Sequence, residues 1–170
     1  VKKALEPYMK LAPFVGIGLI VVAIAIVWIF YIQRGAHVEL TGSILKVRTL
    51  ALDEQSSAII LDFRVLNPSD YPFIVRKTSV YLTDPGGQTL EGEPISDVDA
   101  NRLFQYFPML GQKFNESLVD RTRISAHQSM DRMLAVRFDL PEALLKSRKG
   151  LRLRIEELDG PVSELSERAQ

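Results

Sequence analysis

The chain has no cysteine, which excludes disulfides, thiolate metal sites, a cysteine nucleophile and the lipidated cysteine of a lipoprotein. It has no net charge either: 21 basic and 21 acidic side chains cancel, so the charge balance shows no nucleic-acid footprint. Two histidines, His37 and His127, lie far apart, and neither has a carboxylate nearby in sequence at a metal-ligand spacing. Both read as surface or loop residues. Asp97 and Asp99 could contact a divalent cation, but acids in a helix's first turn are more simply explained by the helix dipole. Asp84 to Gly87 lacks the Lys and Ser or Thr of a phosphate loop and reads as a turn. There is no Gly-x-Ser-x-Gly elbow. Neither a catalytic residue, a metal nor a cofactor is expected.

What the chain does have is a long apolar run. Leu11 to Ile32, LAPFVGIGLIVVAIAIVWIFYI, contains no charged residue. As a helix rising about 1.5 Å per residue it would cover roughly 30 Å, the hydrocarbon thickness of a bilayer. Pro13 falls in the first turn, where a helix tolerates proline. Phe14 near one end and Trp28, Phe30 and Tyr31 near the other suit aromatic rings at headgroup depth. Gly16 and Gly18 do not form a GxxxG pair, so dimerisation through this helix is not signalled. Lys2, Lys3 and Lys10 precede the run, against Glu6, and a slight charge bias puts this leader on the cytoplasmic side. The expectation is an uncleaved signal anchor, single-pass in the inner membrane, with residues 1–10 a basic leader, 11–32 the transmembrane helix, 33–37 a linker and the following domain periplasmic. The lipid bilayer and other membrane proteins are the expected partners, with no nucleic acid and no small-molecule substrate.

From Gly35 onward the chain carries 17 Lys and Arg against 20 Asp and Glu, unremarkable for a folded domain. Its patterning alternates with period two. Val38 and Leu40, then Leu45, Val47 and Thr49, suggest strands interrupted at Thr41 to Ser43. Ile59, Leu61, Phe63 and Val65 share one face, opposite Asp62 and Arg64, as in a half-buried strand. NPSDYP, residues 67–72, is dense in turn formers, a strand follows from Phe73 to Thr83, and Asp84 to Gly87 closes a hairpin. Ser96 and Asp99 have capping-box spacing, and Ala100, Leu103, Phe104 and Phe107 repeat at helical intervals until Pro108. Residues 111–117 read as loop, 118–124 as a possible strand and 126–129 as a turn. Leu134, Val136, Phe138 and Leu140 mark another strand; Leu151, Leu153 and Ile155 mark the last. A polar tail is expected over 160–170. The fold class is mainly β: an antiparallel sandwich over residues 38–159 with one short helical insert, behind the N-terminal helix.

The stretch LDFRVLNPSDYPFIVRKTSVYL resembles the central signature of the late embryogenesis abundant group 2 domain, also called the water stress and hypersensitive response domain. There a strand ends in Asn-Pro and a Tyr-Pro or similar pair precedes the next strand, as do Asn67, Pro68, Tyr71 and Pro72. The resemblance implies a seven-stranded fold similar to immunoglobulin and fibronectin type III modules, often tethered by one N-terminal helix. It also implies a protective role under desiccation or envelope stress, with no catalytic motif. The segment FQYFPMLGQKF departs from that pattern.

Two surfaces stand out. Phe104, Tyr106, Phe107, Met109, Leu110 and Phe114 exceed what one face of a short helix can bury, and the surplus could meet a partner. Lys146, Arg148, Lys149, Arg152 and Arg154 cluster near a turn and strand and could contact an anionic surface or an acidic partner. An Asn-Glu-Ser sequon begins at Asn115. These features describe a non-enzymatic, membrane-tethered binding or protective module of the cell envelope. The alternative is an accessory subunit stabilising a larger bacterial membrane complex through its helix and sandwich. An envelope hydrolase would need a catalytic pair that is not visible.

Overall fold

A computed structural model describes residues 6–33, 39–158 and 160–167; within the first helix it describes side chains over residues 16–29. Two compact units, divided at His37 and Val38, are taken separately.

The first unit contains helix α1, Glu6–Gln33. Among the described residues, no helix is long and apolar enough to cross a membrane. The expected transmembrane helix, and with it the single-pass inner-membrane location and periplasmic domain, is corrected accordingly. Within 16–29 the large apolar side chains are exposed all around the helix, Trp28 among them. Pro13, Phe14, Phe30 and Tyr31, expected to mark the membrane edges, have side chains outside the described residues, and His37 and most of the linker also lie outside them.

The second unit is a β-sandwich. Strands β1 (Thr41–Ala51), β2 (Ser57–Leu66), β5 (Glu93–Pro94) and β7 (Ser129–Phe138) form a sheet in the order β1-β2-β7-β5. Strands β3 (Phe73–Thr83), β4 (Thr89–Glu91), β8 (Gly150–Glu157) and β9 (Val162–Ser166) form the other, ordered β4-β3-β8-β9, with β6 (Arg123–Ile124) also paired to β3. Every pairing between these strands is antiparallel. The period-two residues supply the core between the sheets: Ile59, Leu61, Phe63 and Val65 of β2 and Leu134, Val136 and Phe138 of β7 meet Val75, Val80 and Leu82 of β3 and Leu151, Leu153 and Ile155 of β8. Each such side chain contributes about 1.5–3 kcal/mol by leaving water.

Four features depart from the sequence reading. Thr41 to Ser43 do not interrupt a strand: β1 is continuous, and the irregularity is a bulge between Ile44 and Lys46 that turns Leu45 outward. The polar tail is instead β9, whose alternating apolar positions bury Leu165 and whose Ser163 Oγ accepts a hydrogen bond from the Leu40 N–H at 2.7 Å. The strands number nine among the described residues, where the resemblance implies seven. Helices in this unit are not confined to one insert: besides α2 (Asp97–Tyr106) there is a short α3, Glu142–Lys146, whose Leu145 joins the core.

Candidate interaction site

The sheet β1-β2-β7-β5 is covered on both faces. Its outer face carries a second apolar cluster, in which Leu50, Ala58, Ile60, Met133 and Ala135 meet Ala100 and Leu110. The cover is a strap made of α2, a 3-10 turn over Pro108–Leu110, and the loop that follows. The Ser96 hydroxyl accepts from the Asp99 N–H at 3.1 Å, which caps the helix, and donates to the Asp99 carboxylate at 2.7 Å, so the carboxylate meets the cap's side chain where a full capping box would use its backbone N–H. Helical spacing then turns Ala100, Leu103, Phe104 and Phe107 toward the sheet. Pro108, which has no N–H to continue the ladder, begins the 3-10 turn.

The six candidate partner residues divide. Phe104 and Phe107 pack against the apolar cluster and Leu110 is buried in it, whereas Tyr106, Met109 and Phe114 are 76%, 80% and 66% exposed. The strap buries three of them and presents three.

Polar contacts fix the strap in place. Arg48 and Asp62, both buried on the outer face, form an ion pair. One Arg48 Nη donates to the carbonyls of Leu110 and Gln112, each at 2.9 Å, and the guanidinium lies 4.9 Å from the centroid of the Phe104 ring. The second Asp62 oxygen accepts from Asn115 Nδ2 at 2.9 Å. Within the strap, Asp97 accepts from Ser117 Oγ at 2.5 Å, from Lys113 Nζ at 2.9 Å and from Asn101 Nδ2 at 3.2 Å. The Ser117 hydroxyl, followed by Lys113, holds the Asp97 carboxyl below its ordinary range. Asp97 is thus a strap fastener, and Asp99 a cap that also pairs with Arg102. Among the described residues there is no group of three or more metal-ligating side chains. In the sequon, the Asn115 amide that a glycan would need is committed to Asp62.

The other candidates lie elsewhere. Asn67 is fully buried and ties its end of the sandwich together. Its Nδ2 donates to the carbonyls of Tyr71 at 2.7 Å and of Ile124 and Ser125 at 3.2 Å, while its Oδ1 accepts from the Ser69 N–H at 3.1 Å and hydroxyl at 2.9 Å. Pro68, Tyr71 and Pro72 belong to the loop it holds, with the Tyr71 ring exposed. In the basic group, Lys146 pairs with Glu142, Arg148 with Glu167, Arg152 with Glu164 and Arg154 with Glu156, leaving Lys149 outside these pairs. His127 has a carboxylate partner after all: its Nε2 is 2.8 Å from Asp70 Oδ1, both side chains exposed.

Sequence reasoning missed Arg48 and Asp62. Charged residues at alternate strand positions look solvated, and Asp62 was expected on an exposed face. The signal against that is Ala58 to Leu61, apolar in both parities, which marks a strand buried on both faces.

No protein-family model and no curated protein sequence matches this chain. The crystal structure of an uncharacterized β-sandwich protein from Clostridium difficile 630 is similar to it, with a TM-score of 0.42 and 9% identity over 76% of this chain and 86% of that one. An X-ray structure of a Northeast Structural Genomics Consortium target matches with a TM-score of 0.35 and 10% identity, over 77% of this chain and 80% of the other. The β-sandwich assignment stands on the chain's own two sheets.

Proposed function

We propose that this chain is a non-enzymatic binding module that docks on another protein through the exposed side of the strap. The observation that carries the reading is the exposure of Tyr106, Met109 and Phe114 on a segment fastened to the sheet by buried polar contacts. Aromatic and methionine side chains on a pre-ordered support suit a hot spot, because little conformational entropy is lost on binding. To test this, a photocrosslinker at position 109 is used in the source cells, with and without Tyr106→Ser and Phe114→Ser. One discrete adduct that disappears in the double variant is expected. An adduct pattern unchanged by the substitutions would refute the reading.

A second reading, a subunit of a larger assembly, is favoured by α1, whose described residues are apolar around the whole helix and exposed. Such a surface is covered in water by other apolar groups. A stoichiometric companion that is lost when Ile20, Ile24 and Val27 are replaced by Ser would support it; a companion retained through those changes would exclude it.

A further inference from the structure

Most of the described cations of the sandwich are neutralised in pairs. Eleven Lys and Arg side chains pair with a carboxylate, among them the four of the basic group near the last strands. Among the described residues the exceptions are Lys46, which lies over the Phe114 ring, Lys149, and three arginines: Arg76, Arg121 and Arg123. Those three are exposed and are gathered by the backbone at one place. Arg123 stands opposite Ile74 in the β6–β3 pair. The Arg121 N–H donates to the Val75 carbonyl at 2.7 Å, and Arg76 follows Val75 at the bulge in β3. Arg121 has φ 65°, a left-handed conformation that asparagine or glycine adopts more easily.

We infer that this arginine cluster is a docking surface for an extended acidic segment of a partner protein, lying along β6. Positive charge without internal carboxylate partners is the complement such a segment requires, and arginine forks match carboxylates two bonds at a time. β6 is bonded to β3 alone among the described strands, so its outer side can receive main-chain hydrogen bonds. Val119 and Leu158, 52% and 57% exposed, flank the site: Val119 accepts from the Thr122 N–H and hydroxyl, and the Leu158 N–H donates to Ile74. Apolar flanks suit alternate side chains of a peptide rather than a phosphate backbone, and among the described residues no long stripe of unpaired cations continues from the cluster for a polynucleotide to follow. Asp120, beside Arg121 in sequence, limits the site to ligands of high negative charge. This surface is distinct from the strap and does not depend on it.

The test is fluorescence anisotropy of the full chain with a labelled octapeptide of alternating Glu and Val, and with its Lys-Val counterpart. The acidic peptide binds and the basic one does not. The combined change Arg76→Gln, Arg121→Asn, Arg123→Gln weakens binding at least about tenfold, as does raising salt from about 50 to 300 mM. Lys46→Gln and Lys149→Gln leave it unchanged, and a circular-dichroism melt shows the triple variant folded. Equal binding by the triple variant, equal loss with the two lysine variants, or no binding to the folded wild type overturns the proposal. So does tighter arginine-dependent binding of single-stranded DNA or anionic lipid vesicles than of the peptide.

Discussion

Arg48 stands diagonal to Asp62 across the β1–β2 pair: the residue directly opposite Asp62 is Lys46, and the guanidinium reaches past it to the carboxylate. The pair lies between a sheet and its strap, so each charge depends on the other and on the carbonyls of Leu110 and Gln112. Removing one partner leaves an uncompensated buried charge, at a cost of about 3–5 kcal/mol. Asp62→Ala is therefore expected to lower the thermal midpoint strongly, while the double change Arg48→Met, Asp62→Leu restores much of it. A double-mutant cycle by urea denaturation checks this, and additive losses would show that the pair does not act as a unit.

Asn67 makes a second prediction. Its amide serves three carbonyls and its oxygen serves Ser69, all inside the protein. Asn67→Ala removes all of these bonds, although the Tyr71 carbonyl keeps the Ser69 hydroxyl and the Ser125 carbonyl keeps the Gln128 N–H, and is expected to cost about 1–3 kcal/mol. Asn67→Asp is expected to cost more, because a carboxylate then faces the same three oxygens. Chemical denaturation of both variants gives the order directly; an Asp variant as stable as wild type would contradict the clamp.

Two glycines are expected to respond differently. A Cβ at Gly42 would lie 2.0 Å from the Arg64 carbonyl oxygen, so Gly42→Ala forces the strands apart near the start of β1, at about 2 kcal/mol or more. At Gly111 nothing lies within 4 Å, but φ 73° with ψ −154° is a backbone region essentially confined to glycine, so Gly111→Ala costs about 1–3 kcal/mol through backbone strain alone. A thermal melt unchanged by either substitution would contradict the geometry at that position.

The strap should loosen in acid. Asp97 has its carboxyl lowered in the folded protein by Ser117 and Lys113, so the ionised form favours the closed strap. That contribution is fully present above the unfolded value near 4 and is lost as pH falls through the lower folded value. Hydrogen exchange read across α2 is expected to lose protection below about pH 4 ahead of β2 and β7, and Asp97→Asn to remove that step. Exchange of α2 that tracks the sheet at every pH would show that Asp97 does not govern the strap.

The sandwich was legible where only one face of a strand is wet. β8 follows its alternation closely: Leu151, Leu153 and Ile155 point inward and Arg152 outward, as the pattern demands. The helix over the strap was legible too, because Ser96 and Pro108 bracket it. The strap's purpose was not. The acidic and basic side chains it covers cannot be told by residue type from solvated ones, and their partners in the strap lie 50 or more residues away in the chain. β9 was hidden for a related reason: a five-residue edge strand with two buried positions has too little apolar content to stand out in a polar stretch. The arginine cluster depends on a bulge and a two-residue pairing, neither of which alternation signals.

The bond from Leu40 to Ser163 joins residues 123 positions apart, linking the run into β1 to the strand that completes the other sheet. A sandwich closed in this way has few local contacts to fold by, since β2 must also wait for β7. During synthesis, strands β1 to β8 are all made before the residue that locks them. At about 5–20 residues per second, the roughly hundred residues from β2 to Ser163 take several seconds to appear. For most of that interval the edge of β2 that β7 later pairs stands open, and this protein's exposure to misassembly is concentrated there.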